Sequence, residues 1–347
     1  MTDKLDIKSM EPVELAGMVL GWGEKSFRAR QIFSWLHKKN VCDFNEMTDL
    51  SRTFHDLCAT NCYINSLKVK KKLVSSLDGT VKYLYELEDG NCVETVMMRY
   101  HYGVSLCIST QVGCRMGCHF CASTVGGLVR NLTASEMLDQ VYHSMADSGE
   151  RIGSIVLMGI GEPLDNFENV LRFLKLISNP DGYGLSLRHI SLSTCGLIDG
   201  MYRLAEYKFP LTLSVSLHAP NNADRSALMP VNRKYPLEEL VAACKNYFTI
   251  TGRRISFEYA LIDGKTDSPD QARELVCLLK GFPCHVNLIP INAVGERPYR
   301  RSGAGDIRVF QREIEKTGIS ATVRRELGTD IMAACGQLRH ESAGTSN

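Results

Sequence analysis

From Gly103 onward, short apolar runs alternate with stretches of helical periodicity, and this alternation constrains the fold more than any other feature of the chain. Strands are predicted at 105–109, 154–158, 189–193, 211–217, 254–261 and 285–290. Helices are predicted between or after them at 134–148, 168–178, 237–249, 269–280 and 305–317. A parallel sheet with helical crossovers satisfies such a pattern. Six βα units are two short of a closed eightfold barrel, so the expected fold is α/β, an open partial (βα)6 barrel with a lateral mouth. A last strand is predicted at 321–325.

The chain before the barrel reads differently. Segments 12–20 and 26–39 carry apolar residues at helical spacing, among them Phe27, Ile32, Phe33, Trp35 and Leu36. Residues 1–67 are therefore read as a small helical accessory domain. Residues 68–102 switch to period two around the turn Glu88-Asp-Gly-Asn, which predicts a β-hairpin or small sheet as a linker. Residues 103–340 hold the barrel and a C-terminal segment, and 341–347 form a tail expected to be disordered.

With 347 residues, 44% hydrophobic and 23% charged, the chain can fill a barrel-sized core and an accessory domain. No apolar run approaches the length of a membrane span, and the start Met1-Thr-Asp-Lys-Leu-Asp is too polar for a signal peptide. The 13 cysteines lack the spacing of a short secreted disulfide framework, so a reducing cytoplasm is expected. A net charge of +1 gives no global signal for a polyanion. Three local groups suggest phosphate contacts: Lys25, Arg28, Arg30, Lys38 and Lys39; Lys68, Lys70, Lys71 and Lys72; and Arg297, Arg300, Arg301, Arg308 and Arg312.

The chemically unusual residues fall where predicted strands end, the usual place for catalytic groups in such sheets. After the first strand comes Gln111-Val-Gly-Cys-Arg-Met-Gly-Cys-His-Phe-Cys, whose Cys114, Cys118 and Cys121 supply three thiolates from one loop. Three is too few for a closed zinc site or a fully ligated cubane, but it would leave one iron of a four-iron–four-sulfur cluster open to a substrate. A zinc site completed by a distant fourth ligand remains the alternative. Gly161 and Glu162 follow the second strand and bring a carboxylate beside flexible backbone, suited to an ammonium group. Ser193 ends the third strand, Ser216, Leu217 and His218 end the fourth, and Asn292 lies past the sixth. Ser193, Ser216 and Asn292 offer hydroxyl and amide partners for ribose, carboxylate or adenine edges, and His218 a ring that packs or hydrogen-bonds. Cys42, Cys92, Cys195, Cys244, Cys277 and Cys284 sit in apolar patterns and read as packing residues. By alternation alone, Glu94 reads as solvent-facing.

Taken together, these segments resemble the RlmN/Cfr family of radical S-adenosylmethionine (SAM) RNA methyltransferases, and the likeness spans nearly the whole chain. It is carried by Val93-Glu-Thr-Val, by Cys107 seven residues before Cys114, and by the cysteine loop. Met158-Gly-Ile-Gly-Glu-Pro, Leu192-Ser-Thr, Ser214-Val-Ser-Leu-His-Ala-Pro, Val286-Asn-Leu-Ile-Pro and Ala333-Ala-Cys-Gly-Gln-Leu add to it. Met332 stands where the family pattern leads us to expect an acidic residue. The resemblance implies a cluster on Cys114, Cys118 and Cys121, and SAM contacts from Gly161, Glu162, Ser193, Ser216, Leu217, His218 and Asn292. It also implies that Cys335 carries an S-methyl intermediate, that Cys107 resolves it through a transient disulfide, and that Glu94 accepts a proton.

The segments Gln111-Val-Gly-Cys and Cys121-Ala-Ser-Thr are similar to the RlmN branch. That implies methylation at C2 of an adenosine in 23S ribosomal RNA, and in some members of an adenosine beside the tRNA anticodon. The Cfr branch would imply C8 of the same ribosomal adenosine. Two SAM molecules per turnover, a flavodoxin-like electron donor and a disulfide reductant follow from the same likeness. From other classes, a zinc-stapled RNA-binding protein without catalysis and a radical SAM enzyme acting on a small molecule are the competing readings.

Overall fold

The computed structural model describes residues 4–292, 294, 295 and 297–339, so the expected tail at 341–347 lies outside the described residues. The chain begins with β1 (Leu5–Asp6), α1 (Pro12–Gly21), α2 (Phe27–His37), α3 (Arg52–Asn61) and β2 (Cys62–Tyr63), the two short strands pairing in parallel. Pro12 at the first helical position and a Glu11–Glu14 capping box start α1, and the Ser51 hydroxyl caps α3. This helical layer is fastened to the rest by a buried ion pair. Lys8 Nζ donates to Asp139 Oδ1 and to the Asn65 carbonyl, each at 2.6 Å, while Asn65 Nδ2 donates to Asp139 Oδ2.

Next come β3 (Lys68–Val74), β4 (Val81–Glu86), β5 (Cys92–Tyr100) and β6 (Gly103–Cys107). The linker, where period two predicts a hairpin or small sheet, is three antiparallel strands that continue into the main sheet through β5–β6 pairing. The edge strand β3 presents Lys68, Lys70, Lys71 and Lys72 to solvent, charges that also discourage edge-to-edge association.

Past β6, a small antiparallel hairpin of β7 (Gln111–Gly113) and β8 (Leu128–Asn131) closes the base of the cysteine loop. Then follow α4 (Ala134–Ser148), β9 (Ile152–Leu157), α5 (Phe167–Ser178), β10 (Ile190–Thr194), α6 (Ile198–Glu206) and β11 (Thr212–Ser216). The chain continues through α7 (Asn222–Leu228), α8 (Leu237–Thr251), β12 (Ile255–Leu261), α9 (Pro269–Leu279), β13 (Cys284–Pro290), α10 (Ala304–Glu315) and β14 (Ser320–Val323). A Thr133–Glu136 capping box starts α4 and left-handed Gly149 ends it; a Ser268–Gln271 box starts α9.

One ten-stranded sheet results, in the order β14-β13-β12-β11-β10-β9-β6-β5-β4-β3, parallel from β6 to β14. Because spatial order follows chain order without reversal, each crossover steps the same way and the sheet curls around an interior. The predicted (βα)6 pattern is thus present, and its strand ends gather on one rim. Two helices escape the periodicity. Helix α6 carries Gly200 in its interior, where an added Cβ would lie 2.9 Å from Leu164 Cβ, so close packing demands a poor helix former. Helix α7, with seven residues, is too short to show a period.

Candidate active site

The loop after β6 is built by glycine. At Gly113, φ is +73° and a Cβ would sit 1.9 Å from the Gly127 carbonyl, which accepts the Cys114 amide at 2.9 Å. That closure turns Cys114, Cys118 and Cys121 toward one cavity at the strand-end rim. The same cavity is lined by Gly161, Glu162, Ser193, Ser216, His218 and Cys335, so residues far apart in sequence meet there. Leu217 does not reach it. Its side chain is fully buried in the main core, although its carbonyl accepts from Arg225 Nε. Asn292 lines an adjoining cavity of about 410 Å³ and donates to the Cys335 carbonyl at 3.3 Å. Cys335 lies on both.

The three loop thiols strain against one another. Burial pushes Cys114 up to about 12. Burial, then the neighbouring Cys121 and Cys114, push Cys118 well above the ordinary thiol range, and Cys121 is raised chiefly by burial. Holding three thiolates here needs bound positive charge. Among the described residues, no three His, Cys, Asp or Glu side chains converge on a single-ion position. Three soft thiolates from one loop fit a four-iron–four-sulfur cluster that keeps one iron open.

Glu162 is buried and its carboxyl is raised by burial. It accepts the Leu164 amide at 3.0 Å and the Cys195 amide at 2.7 Å, tying the β9 and β10 ends together. Gly161, at φ +107°, has no room for a side chain, since a Cβ would be 2.6 Å from Gln111 Cβ. His218 takes the Ala260 amide on Nδ1 at 3.0 Å, which puts its proton on Nε2. Burial pulls His218 down to about 3, so it is neutral at physiological pH, and Phe120 packs on it edge-on with centroids 4.9 Å apart.

The solvent-facing reading of Glu94 is overturned. Along β5, Val93 and Met97 enter the main core, while Val96 and Met98 face the opposite side with Cys107, Ile160, Leu327 and Ala333. Glu94 shares that second face and is 6% exposed, with Lys82 Nζ at 2.8 Å and the Arg339 amide donating at 2.7 Å. Alternation marks the two faces correctly, but the C-terminal segment covers the one taken as open. Cys107 sits opposite Val96 in the β5–β6 register, buried and 6% exposed. Burial, then the proximity of Cys335, pushes its thiol up to about 12, while Arg324 pulls it down.

The Cys335 segment is clasped along its length. The Gly336 carbonyl accepts the Ala122 amide at 2.8 Å, the Leu338 carbonyl accepts the Ser123 hydroxyl at 2.8 Å, and the Met332 carbonyl accepts Lys82 Nζ at 3.2 Å. Asp330 takes the Ser75 hydroxyl at 2.7 Å and the Ser76 amide at 2.9 Å. Met332 itself points to solvent.

Several residues of this region carry no sequence signal. Buried Glu258 and part-exposed Arg324 both line the main cavity, with Arg324 Nη1 3.9 Å from Glu258 Oε2. Arg324 is held above its ordinary range, first by the charge of Cys335 and then by Glu258 and Cys107, against burial. Cys195, read as packing, lines the cavity, whereas Cys42 and Cys277 are exposed rather than packed. Arg and Glu on strands read as solvated face unless the partner strand is known, so position at a strand end is the only available hint.

Comparison with known proteins agrees with this architecture. The Radical SAM superfamily model matches residues 108–276, and the model for the ribosomal RNA large subunit methyltransferase N-terminal domain matches residues 5–64. The chain is 52% identical over 339 residues to "Probable dual-specificity RNA methyltransferase RlmN" of Lachnoclostridium phytofermentans, covering 98% of this chain and 95% of that one. The protein of the same name from Alkaliphilus oremlandii is also 52% identical over 339 residues, covering 98% of each. A crystal structure of a radical SAM methyltransferase from Sphaerobacter thermophilus superposes with a TM-score of 0.92 at 42% identity, covering 96% of this chain and 99% of that one. Likeness of this extent, over the helical layer, the barrel and the clasped C-terminal segment alike, places the chain in the RlmN family of radical SAM RNA methyltransferases.

Proposed function

We propose that the chain methylates C2 of an adenosine in 23S ribosomal RNA and of an adenosine beside the anticodon of transfer RNA, storing the methyl group on Cys335 before delivery. The observation that carries this reading is the meeting of Cys335 with Cys114, Cys118 and Cys121 on one cavity, with Cys107 and Glu94 on the sheet face behind it. A cysteine near the end of the chain has no structural reason to be clasped there by three separate segments. The zinc-stapled reading gives no role to Cys335 or Cys107.

When bound, a four-iron–four-sulfur cluster on Cys114, Cys118 and Cys121 together with SAM supplies a methyl group and adenosyl radical chemistry, at two SAM per turnover. Gly161, Glu162, Ser193, Ser216, His218 and Asn292 orient the SAM, and Leu217 contributes backbone only. The Cys335 thiolate takes the methyl group from the sulfonium as a thioether, because the adenine C2 is too poor a nucleophile to take it directly. That carbon loses one hydrogen atom to the bound cofactors, the adduct it forms with the base loses one electron to them, and Glu94 accepts the C2 proton. The Cys107 thiolate then attacks the Cys335 sulfur, the sulfur–carbon bond breaks with its electron pair going to the carbon, which takes up a proton to become the methyl group, and a Cys107–Cys335 disulfide remains. An external reductant restores both thiols, and a flavodoxin-like donor supplies the electron for the cluster.

The test is chemical. Cys335→Ala should abolish methylation while keeping iron, whereas Cys107→Ala should accumulate protein covalently joined to RNA, a species absent from the double variant. Mass mapping of the RNA product locates the methylated adenosine, and co-elution with authentic 2-methyl- and 8-methyladenosine reads C2 against C8. A Cys107→Ala protein that turns over normally, or one that is inactive without an adduct, refutes the release step.

A further inference from the structure

The most unusual buried charge in the molecule lies outside the residues used so far. Arg225 on α7 is 0% exposed. Its guanidinium donates to the carbonyls of Cys195 at 2.7 Å, Leu217 at 3.1 Å and Ser216 at 3.2 Å, and to Asn232 Oδ1 at 2.9 Å. Every one of these acceptors is neutral, and among the described residues no carboxylate is its ion-pair partner. A buried cation in such a setting is costly unless something nearby supplies negative charge. Burial pulls the guanidinium below its ordinary range, and the groups that oppose this are the sulfurs of Cys195, Cys118 and Cys244.

The surroundings direct that charge toward the cysteine loop. The His119 amide donates to the Leu228 carbonyl at 2.9 Å, and a Cβ on Gly117 would touch Pro230 Cγ at 3.5 Å, so the loop rests on α7 and the turn after it. Met229 and Cys195, one at the end of α7 and the other bonded to the guanidinium, both line the cavity beside Cys118. The Cys195 peptide is gripped from both sides, its amide by Glu162 and its carbonyl by Arg225.

We propose that Arg225 is a positioning residue with two separable tasks: it is the buried counter-charge of the three-thiolate site, and it clasps the ends of β10 and β11 that carry Ser193, Ser216 and His218. The proposal rests on the reading of Cys114, Cys118 and Cys121 as cluster ligands. A cluster on three thiolates is anionic and gains a further negative charge on reduction, so a fixed cation beside it favours the reduced form. A lysine would keep the charge but could not reproduce the planar fork that spans three carbonyls.

Arg225→Met and Arg225→Lys separate the tasks. After anaerobic reconstitution, the midpoint potential should move to more negative values in Arg225→Met and stay near wild type in Arg225→Lys. The Kd for SAM should rise at least tenfold in both. Reconstitution should also raise the Tm of the wild type more than that of Arg225→Met, because only the wild type has a buried cation to neutralise. A reconstituted Arg225→Met with wild-type potential and wild-type gain in Tm overturns the counter-charge. An Arg225→Lys protein that binds SAM as tightly as wild type overturns the clasp. If the wild type itself takes up no iron and sulfide, the cluster reading falls, and this proposal with it.

Discussion

A thiolate attacks only in those molecules that have lost the proton, and for Cys107 burial makes that fraction small. With its thiol pushed up to about 12, the thiolate fraction at pH 7 is on the order of 10⁻⁵. The sign follows directly: below pH 12 each added pH unit raises the reactive fraction about tenfold. If Cys107 resolves the RNA adduct, adduct decay should accelerate about tenfold per pH unit between pH 7 and 9, as followed by quenched-flow and denaturing electrophoresis. Arg324 is the charge that opposes this rise, so Arg324→Gln should slow decay several-fold at each pH while leaving the slope intact. A flat pH profile would show that another group limits release.

Between elements, the helical layer is held to the barrel through α2 and α4 by contacts that tolerate acid poorly. His37 on α2 is fully buried, packs on Phe33 and meets the Tyr142 hydroxyl of α4 at 3.1 Å; its Nε2 has no partner among the described residues. Burial, aided by Lys8, pulls it down to about 3, against about 6.5 in an unfolded chain. Between those values the unfolded state binds the extra proton, so His37's contribution is complete above pH 6.5 and is lost as pH falls toward 3. The expected slope is about 1.4 kcal/mol per pH unit within that window. Buried Asp139, raised to about 6 by burial, titrates with the opposite sign, so the wild-type curve alone does not isolate His37. Comparison with His37→Gln does: from pH 6.5 to 4 the variant's slope of stability against pH should lie about one proton below that of the wild type in urea titrations. Equal slopes would show that His37 is not buried neutral.

At the scale of the whole molecule, what the sequence disclosed was local and what it concealed was pairing over distance. Most strands and helices from 103 to 325, though not α6, α7 or the β7–β8 hairpin, were legible because period two and period 3.6 are written in adjacent residues, and strand ends fixed where Cys114, Glu162, Ser193 and Ser216 would gather. Hidden were the union of β3, β4 and β5 with the barrel sheet, the covered face of Glu94, and the setting of Arg225, each decided by distant chain or by close packing. The same limit applies to the substrate surface. With a net charge of +1 the molecule has no long-range pull on RNA, and the proposed reading assigns affinity to clustered exposed cations such as Lys25, Arg30 and Lys38 on the helical layer. Removing that layer would be an ambiguous test, since Lys8 fills a buried site against Asp139 and deletion would leave that carboxylate unpaired. Reversing charge on the surface leaves the docking intact. Lys25→Glu with Lys38→Glu should weaken RNA binding, and the slope of log K against log salt should become shallower by roughly 0.7 for each phosphate that the variant no longer neutralises. Cys335 methylation, read by peptide mass without RNA present, should be unchanged. A slope equal to wild type would place the phosphate-binding cations elsewhere, on the β3 lysines or the α10 arginines.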